Sequence, residues 1–248
     1  MTTRHPPRIE AIAFDLDGTL VDTAPGVTRA LNGALARAGR TAFDMEVVRG
    51  WIGPGPDALI ARALAAGGGP AEPGLAARLR ADFDALTLAD PLAGSEPFEG
   101  IRGLLALLTP RYPLVVVTNK PTPLARAVLQ ATGILHRFAA VHGADRPEER
   151  KPAPLLLERA GARLRVAPRA LLMVGDSAFD LDAARAAGCP AAWARWGYVA
   201  AIDGPLPRWR LDAPSDLPAC LHGPDPRPLP RGGSPHGAPP AQVPDPSH

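Results

Sequence analysis

The feature that most constrains this chain is a short apolar run at residues 9–14, which stops abruptly at Asp15 and is followed by Asp17. An apolar run of this length without polar alternation is typical of a strand buried on both faces of a parallel sheet. Functional groups in open parallel sheets lie just beyond the carboxyl ends of the strands. The run therefore predicts a buried strand that delivers acidic side chains to a site.

Later segments repeat the same pattern of an apolar strand that gives way to polar residues. Residues 114–117 lead into Thr118 and Asn119, and residues 171–174 lead into Gly175 and Asp176. Further short strand candidates lie at residues 138–141 and 191–194. Helical patterns lie at residues 100–108, 122–133 and 154–162, and a further helical pattern ends at Gly188. Strands that alternate with helices predict an α/β fold with a parallel sheet covered by helices on both faces.

The region after the first strand differs from the rest because it shows only helical patterns, from the segment after Thr23 to about residue 96. Thr23 is expected to cap the first helix, and Pro25 suits its first turn. This block predicts a helical cap at residues 23–96, inserted into a discontinuous core formed by residues 1–22 and 97–222.

Composition and charge exclude several classes of function. The formal net charge is +2, from 27 basic and 25 acidic residues without a dense basic run, which argues against a nucleic-acid partner. No apolar run approaches the roughly 20 residues that span a bilayer, and the N-terminus has no secretory pattern. We expect a cytoplasmic protein with two reduced thiols, Cys189 and Cys220. Its oligomeric state is left open.

The last 26 residues, 223–248, contain nine prolines and four glycines and little that could fill a core. Such a segment cannot offset its own ordering entropy, so we predict that it is disordered. A proline-rich docking tail is the alternative interpretation.

The strand-end residues together match the demands of phosphate monoester hydrolysis. The substrate is a dianion that repels a carboxylate nucleophile, and Mg²⁺ bound to hard oxygen ligands removes much of that repulsion. Asp15 and Asp176 can supply carboxylates, and the backbone carbonyl of Asp17 is a candidate third ligand. The Asp17 side chain could protonate the leaving group and later accept a proton from water. We expect Mg²⁺ as the cofactor.

Other residues of the same segments are candidates for binding the phosphoryl group and for support. Thr118, Asn119 and Lys151 are the predicted phosphate ligands, since they could hold its oxygens as charge shifts. Asp180 lies one turn after Asp176, and Ser177 stands between them. Each segment alone is as easily a turn or a helix cap, so the prediction rests on all of them in this order.

These motifs resemble the haloacid dehalogenase superfamily, whose pattern is Asp-x-Asp-Gly-Thr, then Thr or Ser, then Lys, then Gly-Asp-x-x-x-Asp. The resemblance covers residues 9–200, and the segment FDLDGTLVD at residues 14–22 is its most specific part. It implies a Rossmann-like core with an inserted helical cap. It also implies that Asp15 is the nucleophile and a metal ligand, Asp17 the general acid and base, and Asp176 a metal ligand.

Within the superfamily the chain is most similar to bacterial phosphoglycolate phosphatases, on the cap segment WIGPG at residues 51–55 and on VTNKPTP at residues 117–123. This resemblance implies a small phosphate ester, most simply 2-phosphoglycolate, as the substrate. Gly53, Gly55 and Arg49 are the cap candidates for contacting it. Pro54 stands where Asn is usual, and Ala178-Phe179 replaces a polar pair.

Several functions remain open at this stage. A phosphatase of sugar phosphates, such as N-acetylmuramic acid 6-phosphate, and a phosphomutase share the fold and motifs. A dehalogenase is disfavoured because Asp17, the acid and base of phosphoryl transfer, is present. A non-catalytic binding protein acting through the tail is the alternative outside enzymes.

Overall fold

The computed structural model describes residues 8–68 and 72–222. Its strands are β1 (Ala11–Phe14), β2 (Val21–Asp22), β3 (Glu96–Pro97), β4 (Leu114–Thr118), β5 (Ala140–Gly143), β6 (Leu171–Gly175), β7 (Ala191–Ala194) and β8 (Trp209–Leu211). Its helices are α1 (Ala24–Arg37), α2 (Met45–Arg49), α3 (Pro56–Gly67), α4 (Leu75–Ala89), α5 (Ile101–Leu108), α6 (Thr122–Ala131), α7 (Leu155–Leu164), α8 (Ala178–Ala187) and α9 (Leu217–His222).

Six of the strands form one parallel sheet in the order β5-β4-β1-β6-β7-β8. Strand β1 lies in the middle, with β4 on one side and β6 on the other. All four residues of β1 are fully buried, which explains why its sequence is an uninterrupted apolar run. The sequence prediction of a parallel α/β core is confirmed.

Successive residues of each central strand point to opposite faces of the sheet, and each face has its own core. Ile12 and Phe14 of β1 belong to a cluster that includes buried residues of α5, α6 and α9. Ala11 and Ala13 belong to the other cluster, which is closed by α7 and α8. Helices therefore cover both faces, as the Rossmann-like prediction required.

Helices α1 to α4 form the inserted cap, with a separate hydrophobic cluster built around residues such as Leu31, Leu79 and Phe83. The two connections to the core run side by side, because β2 and β3 pair in antiparallel fashion. Val21 pairs with Pro97 and Asp22 with Glu96. The all-helical cap is confirmed as part of the fold, whereas its bounds at residues 23 and 96 stay a prediction.

Some elements differ from the sequence prediction. Strand β8 was not predicted, although Trp209 and Leu211 are buried and Arg210 between them is exposed. The β2–β3 pair was also missed, because two residues are too few for a periodic pattern. The strand expected at residues 138–141 lies at Ala140–Gly143.

Among the described residues, no helix combines the length and the apolar character needed to cross a bilayer. Cys189 and Cys220 are both free thiols. The tail that we predict to be disordered, residues 223–248, lies outside the described residues.

Helix α5 offers a test of the hydrophobic cluster on the Ile12 and Phe14 face of the sheet. Leu105→Ala should lower the free energy of unfolding by about 2–5 kcal/mol, since a fully buried leucine leaves a cavity. Leu107→Ala on the same helix is the control, because Leu107 is 45% exposed and should change stability by less than about 0.5 kcal/mol. Urea denaturation measures both. Equal effects of the two variants would contradict the assignment of α5 to the core.

Candidate active site

The site lies where the central strands end. Asp15 follows β1 and Asp176 follows β6, and these strands pair in parallel with Phe14 opposite Val174. The backbone N–H of Asp15 donates to the Val174 carbonyl at 2.9 Å. Because the register brings both strand ends to one level, the two acids leave the sheet side by side.

A cluster of carboxylates results from this register. Oxygen atoms of Asp15, Asp176 and Asp180 lie within 4.8 Å of one another, and all three residues are buried. Asp180 reaches the cluster from the first turn of α8. The structure thus brings together the two acids that the sequence assigned to the metal and the third that it assigned to support.

Lys151 is the cation of this cluster. Its Nζ atom lies 2.9 Å from Asp15 Oδ1 and 2.6 Å from Asp180 Oδ1, and it donates to the Val117 carbonyl at 3.0 Å. The side chain is almost completely buried, as an ammonium can be only when it is paired.

Burial and like charge together shift the protonation equilibria of the acids. Burial is the largest influence and raises the pKa of Asp15 to about 7, although the Lys151 ammonium opposes it and Asp180 adds to it. Burial likewise raises the pKa of Asp176 well above its ordinary value, and the charges of Asp180 and Asp15 contribute. Burial lowers the pKa of Lys151, but the attraction of Asp15 and Asp180 outweighs it, so that this pKa is raised.

Three carboxylates against one ammonium leave excess negative charge in a buried place, which is the environment that a divalent cation compensates. Asp15 Oδ1 accepts no well-aligned hydrogen bond, although Lys151 Nζ is close to it. Asp180, by contrast, is fully occupied, because its other oxygen accepts from the N–H of Ser177 at 3.1 Å and from its hydroxyl at 2.7 Å. The residues therefore fit a cation held by Asp15 and Asp176, with Asp180 and Ser177 in support.

Asp176 is held by contacts from two loops. Its Oδ2 accepts from the backbone N–H of Tyr198 at 2.8 Å, and its Oδ1 accepts from the Thr19 hydroxyl at 3.3 Å. Two glycines make room for it, because a Cβ atom on Gly18 or Gly197 would lie 2.5 or 2.6 Å from Asp176 Oδ2. Gly18 also has a left-handed φ of +81°, which favours glycine.

Asp17 stands apart from the carboxylate cluster, with its side chain on the cavity wall. Lys120 Nζ lies 2.8 and 3.0 Å from its two oxygens, and the Thr23 hydroxyl donates to it at 2.6 Å. The sequence analysis did not single out Lys120. A lysine two residues after a buried strand, which must find an anion if it is itself buried, was the available signal.

The expected role of Thr23 as a helix cap is wrong, because its side chain makes no capping hydrogen bond. The hydroxyl is used by Asp17 instead. The backbone N–H of Ala24, at the start of α1, donates to the Tyr198 hydroxyl at 2.9 Å and to Asp22 at 3.3 Å. A side chain distant in sequence thus does the work that local chemistry predicted for Thr23.

The predicted phosphate ligands of the second segment lie at the end of β4. The Thr118 hydroxyl accepts from the N–H of Lys120 at 3.2 Å, and the residue lines the cavity. The Asn119 amide is engaged with backbone groups of Lys151 and Gly53. Binding of phosphate by Thr118, Asn119 and Lys151 stays a prediction.

A cavity that is partly open to solvent lies between the cap and the strand ends. Its polar end contains Asp15, Asp17, Thr118, Asn119 and Lys120. Its remaining wall is formed by Gly53, Gly55 and apolar side chains, namely Val27, Ile52, Pro56, Leu59, Phe83 and Leu124.

Arg49 is not among the residues that line this cavity. Its guanidinium pairs with Glu46 at 2.9 Å and lies 5.9 Å from the centre of the Tyr198 ring. Of the three cap candidates, the structure therefore places Gly53 and Gly55 at the cavity and Arg49 beside a neighbouring loop.

Comparison with known proteins agrees with this geometry. A model of the haloacid dehalogenase-like hydrolases matches residues 9–188. A phosphoglycolate phosphatase of Yersinia pseudotuberculosis is 40% identical over 191 residues, which cover 77% of this chain and 82% of that protein. A phosphoglycolate phosphatase of Xylella fastidiosa strain Temecula1 is 38% identical over 215 residues, which cover 86% of this chain and 92% of that protein. The crystal structure of a predicted phosphoglycolate phosphatase from Haemophilus somnus 129PT matches this fold with a TM-score of 0.79. The match covers 87% of this chain and 99% of that chain, and the two sequences are 29% identical.

The tight packing around Asp176 generates a prediction. Gly197→Ala should lower the free energy of unfolding by about 1–3 kcal/mol, because the new Cβ would lie 2.3 Å from both Asp176 Cβ and the Gly18 carbonyl oxygen. Gly103→Ala in the exposed part of α5 meets no atom within 4 Å and should raise stability by about 0.5–1 kcal/mol. Thermal and urea unfolding measure both. A neutral Gly197→Ala would contradict the described packing.

Proposed function

Because the chain belongs to the haloacid dehalogenase-like hydrolases, we propose that it is a Mg²⁺-dependent phosphatase that hydrolyses a small phosphate monoester through an aspartyl-phosphate on Asp15. The observation that carries this proposal is the buried cluster of Asp15, Asp176 and Asp180 around the Lys151 ammonium, open to the cavity on the Asp15 side. A buried excess of oxygen anions suits a cation, and the positive charge of that cation would let the site accept a dianionic ester.

The first step is nucleophilic attack by Asp15. A carboxylate oxygen forms a bond to phosphorus while the bond from phosphorus to the ester oxygen breaks. The departing alkoxide takes a proton from Asp17, the second acid on the cavity wall. Lys120 and Thr23 orient Asp17 for this transfer through their contacts with its oxygens.

The second step releases inorganic phosphate. Asp17, now a carboxylate, accepts a proton from a water molecule whose oxygen attacks phosphorus, and the acyl-phosphate bond breaks to restore Asp15. Lys151 and Thr118 would hold the phosphoryl oxygens in both steps, from the ends of two different segments. The apolar side chains of the cavity wall would limit the access of other water.

Mg²⁺ would be held by Asp15 and Asp176, with the Asp17 backbone carbonyl as the expected third protein ligand. When bound, it supplies positive charge that offsets the repulsion between the nucleophile and the dianion. Lys151 supplies part of that charge beside Asp15 Oδ1, and it is also paired with Asp180.

The proposed substrate is 2-phosphoglycolate. The names of the relatives support it, and so does the cavity. The apolar side chains of the cavity wall offer no hydrogen-bonding partner to the hydroxyl groups of a sugar. Lys120 is the one lining residue in the described chain with an ammonium group, and it would meet the carboxylate of the substrate.

The substrate and the nucleophile can be tested together by measuring phosphate release from a panel of esters. We expect kcat/KM for 2-phosphoglycolate to exceed that for hexose phosphates and N-acetylmuramic acid 6-phosphate by at least about tenfold. Asp15→Asn should lower kcat at least about 10⁴-fold, since the covalent route is lost, while Asp182→Asn on the surface of α8 should leave it unchanged. Turnover by Asp15→Asn would refute the mechanism, and preference for a sugar phosphate would refute the substrate. A requirement for a sugar bisphosphate would indicate a mutase.

The metal proposal is tested without turnover. Mg²⁺ at about 100 times its dissociation constant should stabilise the protein by about 2.7 kcal/mol, seen as a higher unfolding midpoint that EDTA reverses. Asp176→Asn should abolish this gain, and without metal it should be no less stable than the parent, because it removes one of three crowded negative charges. Asp182→Asn should keep the full gain. An equal stabilisation of Asp176→Asn by Mg²⁺ would show that the ion binds at another site.

A further inference from the structure

Two hydrogen-bonded contacts join the cap loop at residues 53–57 to the core, and both lie beside Lys151. One contact is made by Gly53, through Asn119, and the other by Asp57, through Arg150. Arg150 precedes Lys151 in the chain, and Asn119 binds the Lys151 backbone. The segment that holds the central ammonium is therefore held in turn by the cap.

The first contact is a side-chain amide shared between the cap and the core. Asn119 Oδ1 accepts from the N–H of Lys151 at 2.7 Å. Asn119 Nδ2 donates to the Lys151 carbonyl at 3.1 Å and to the Gly53 carbonyl at 2.9 Å. The residue is 3% exposed, so these bonds are shielded from water. Withdrawal of the cap loop would leave one amide hydrogen without its partner.

The second contact is a set of charged groups centred on Asp57, in the first turn of α3. Its two oxygens accept from Arg150 of the core and from Arg80 of the cap helix α4. Burial of the carboxyl acts to raise its pKa, but the hydrogen bonds from Arg80 and Arg150 lower it below the ordinary value. Arg80 is also bound to Asp84 within α4, at 2.9 and 3.0 Å. Asp57 and Arg150 thus form the one pair of this set that joins the cap to the core.

The backbone between these contacts is fitted to the same core residues. Gly55 has a left-handed φ of +99°, and a Cβ atom on it would lie 3.1 Å from the Asn119 carbonyl oxygen and 3.7 Å from Arg150 Nε. A loop that approaches both residues this closely has little room for a side chain. Phe179, which departs from the usual polar residue, lies 3.7 Å from the corresponding position on Gly53.

We propose that Asp57 and Arg150 are a positioning pair, which docks the cap loop onto the Lys151 segment so that closure of the cap and placement of the Lys151 ammonium occur together. The inference rests on the proposed function in that Lys151 serves phosphoryl transfer. The ion pair is partly exposed, with side-chain exposures of 46% for Asp57 and 23% for Arg150, so water and salt weaken it. Its loss therefore loosens the cap without unfolding the protein.

A structural role alone would make the pair one more surface contact, equivalent to Arg80–Asp84. The variants Asp57→Asn and Arg150→Met remove the pair, and Asp84→Asn is the matched control because it removes a charge only inside the cap. Arg150→Lys keeps the positive charge. Hydrogen–deuterium exchange of the free, full-length protein should show about fivefold faster exchange in peptides over residues 51–60 and 146–156 for the first two variants. Asp84→Asn should show no change in either peptide.

Kinetics give the second measurement. Each removal should lower kcat about fivefold both for the best small ester of the panel and for p-nitrophenyl phosphate, because Lys151 holds the phosphoryl group that the two substrates share. The double variant should be no slower than either single one, because both remove the same contact. Arg150→Lys should retain most of the activity.

The outcomes separate this inference from the proposed function. Faster exchange in both peptides without any phosphatase activity in the parent would support the docking contact and refute the proposed function. An active parent whose Asp57 and Arg150 variants match Asp84→Asn in exchange and in kcat would overturn the positioning pair. Additive losses in the double variant would also overturn it, since the two residues would then act independently.

Discussion

The structure depends on a single electrostatic constraint, the need to hold the Lys151 ammonium and three carboxylates in a buried place. Each charge there loses most of its hydration, so each must be bound by another charge or by a hydrogen-bonding group. This constraint accounts for the helix start at Ser177, which binds Asp180, and for the Asn119 amide, which fixes the Lys151 backbone. It also accounts for Gly18 and Gly197, where the Cβ atom of any other residue would clash with Asp176. The sheet brings these segments together, and the charges decide how they are arranged.

Much of the core and of the site could be predicted, because an acid that interrupts an apolar run leaves a strong signal. Asp15 and Asp176 are of this kind, and the parallel register that brings them together follows from general rules for α/β sheets. Strand β8 could not be predicted, since its three residues follow a segment rich in proline and glycine and its pairing with β7 is long-range. The hydroxyl of Thr23 was assigned to the wrong partner for a similar reason. Sequence shows the local option of a helix cap, whereas Asp17 and Tyr198 are brought there only by folding.

The cap illustrates a different limit of sequence reasoning. Its helices were predictable from their pattern, but the role of each polar residue depends on which face turns to the core. Arg49 was a reasonable candidate for contacting an anionic substrate, yet it lies against Tyr198 and Glu46. Asp57, which looks like an ordinary acid in the first turn of a helix, bridges two arginines from separate parts of the chain. Arg49 and Asp57 therefore differ in what their side chains contact after folding, which residue type alone does not show.

The short β2–β3 pair has a mechanical consequence. Because the two strands that connect the core to the cap are bonded to each other, neither can twist without the other. Tyr198 ties the cap-side end of this pair to the site, since its hydroxyl donates to Asp22 at 2.8 Å and accepts from Ala24, while its backbone N–H donates to Asp176. Any rotation of the cap about the β2–β3 pair would therefore take place beside the contact that holds Asp176. Such a rotation would displace the far edge of the cap much more than Asp176, because the displacement of an atom grows with its distance from the axis.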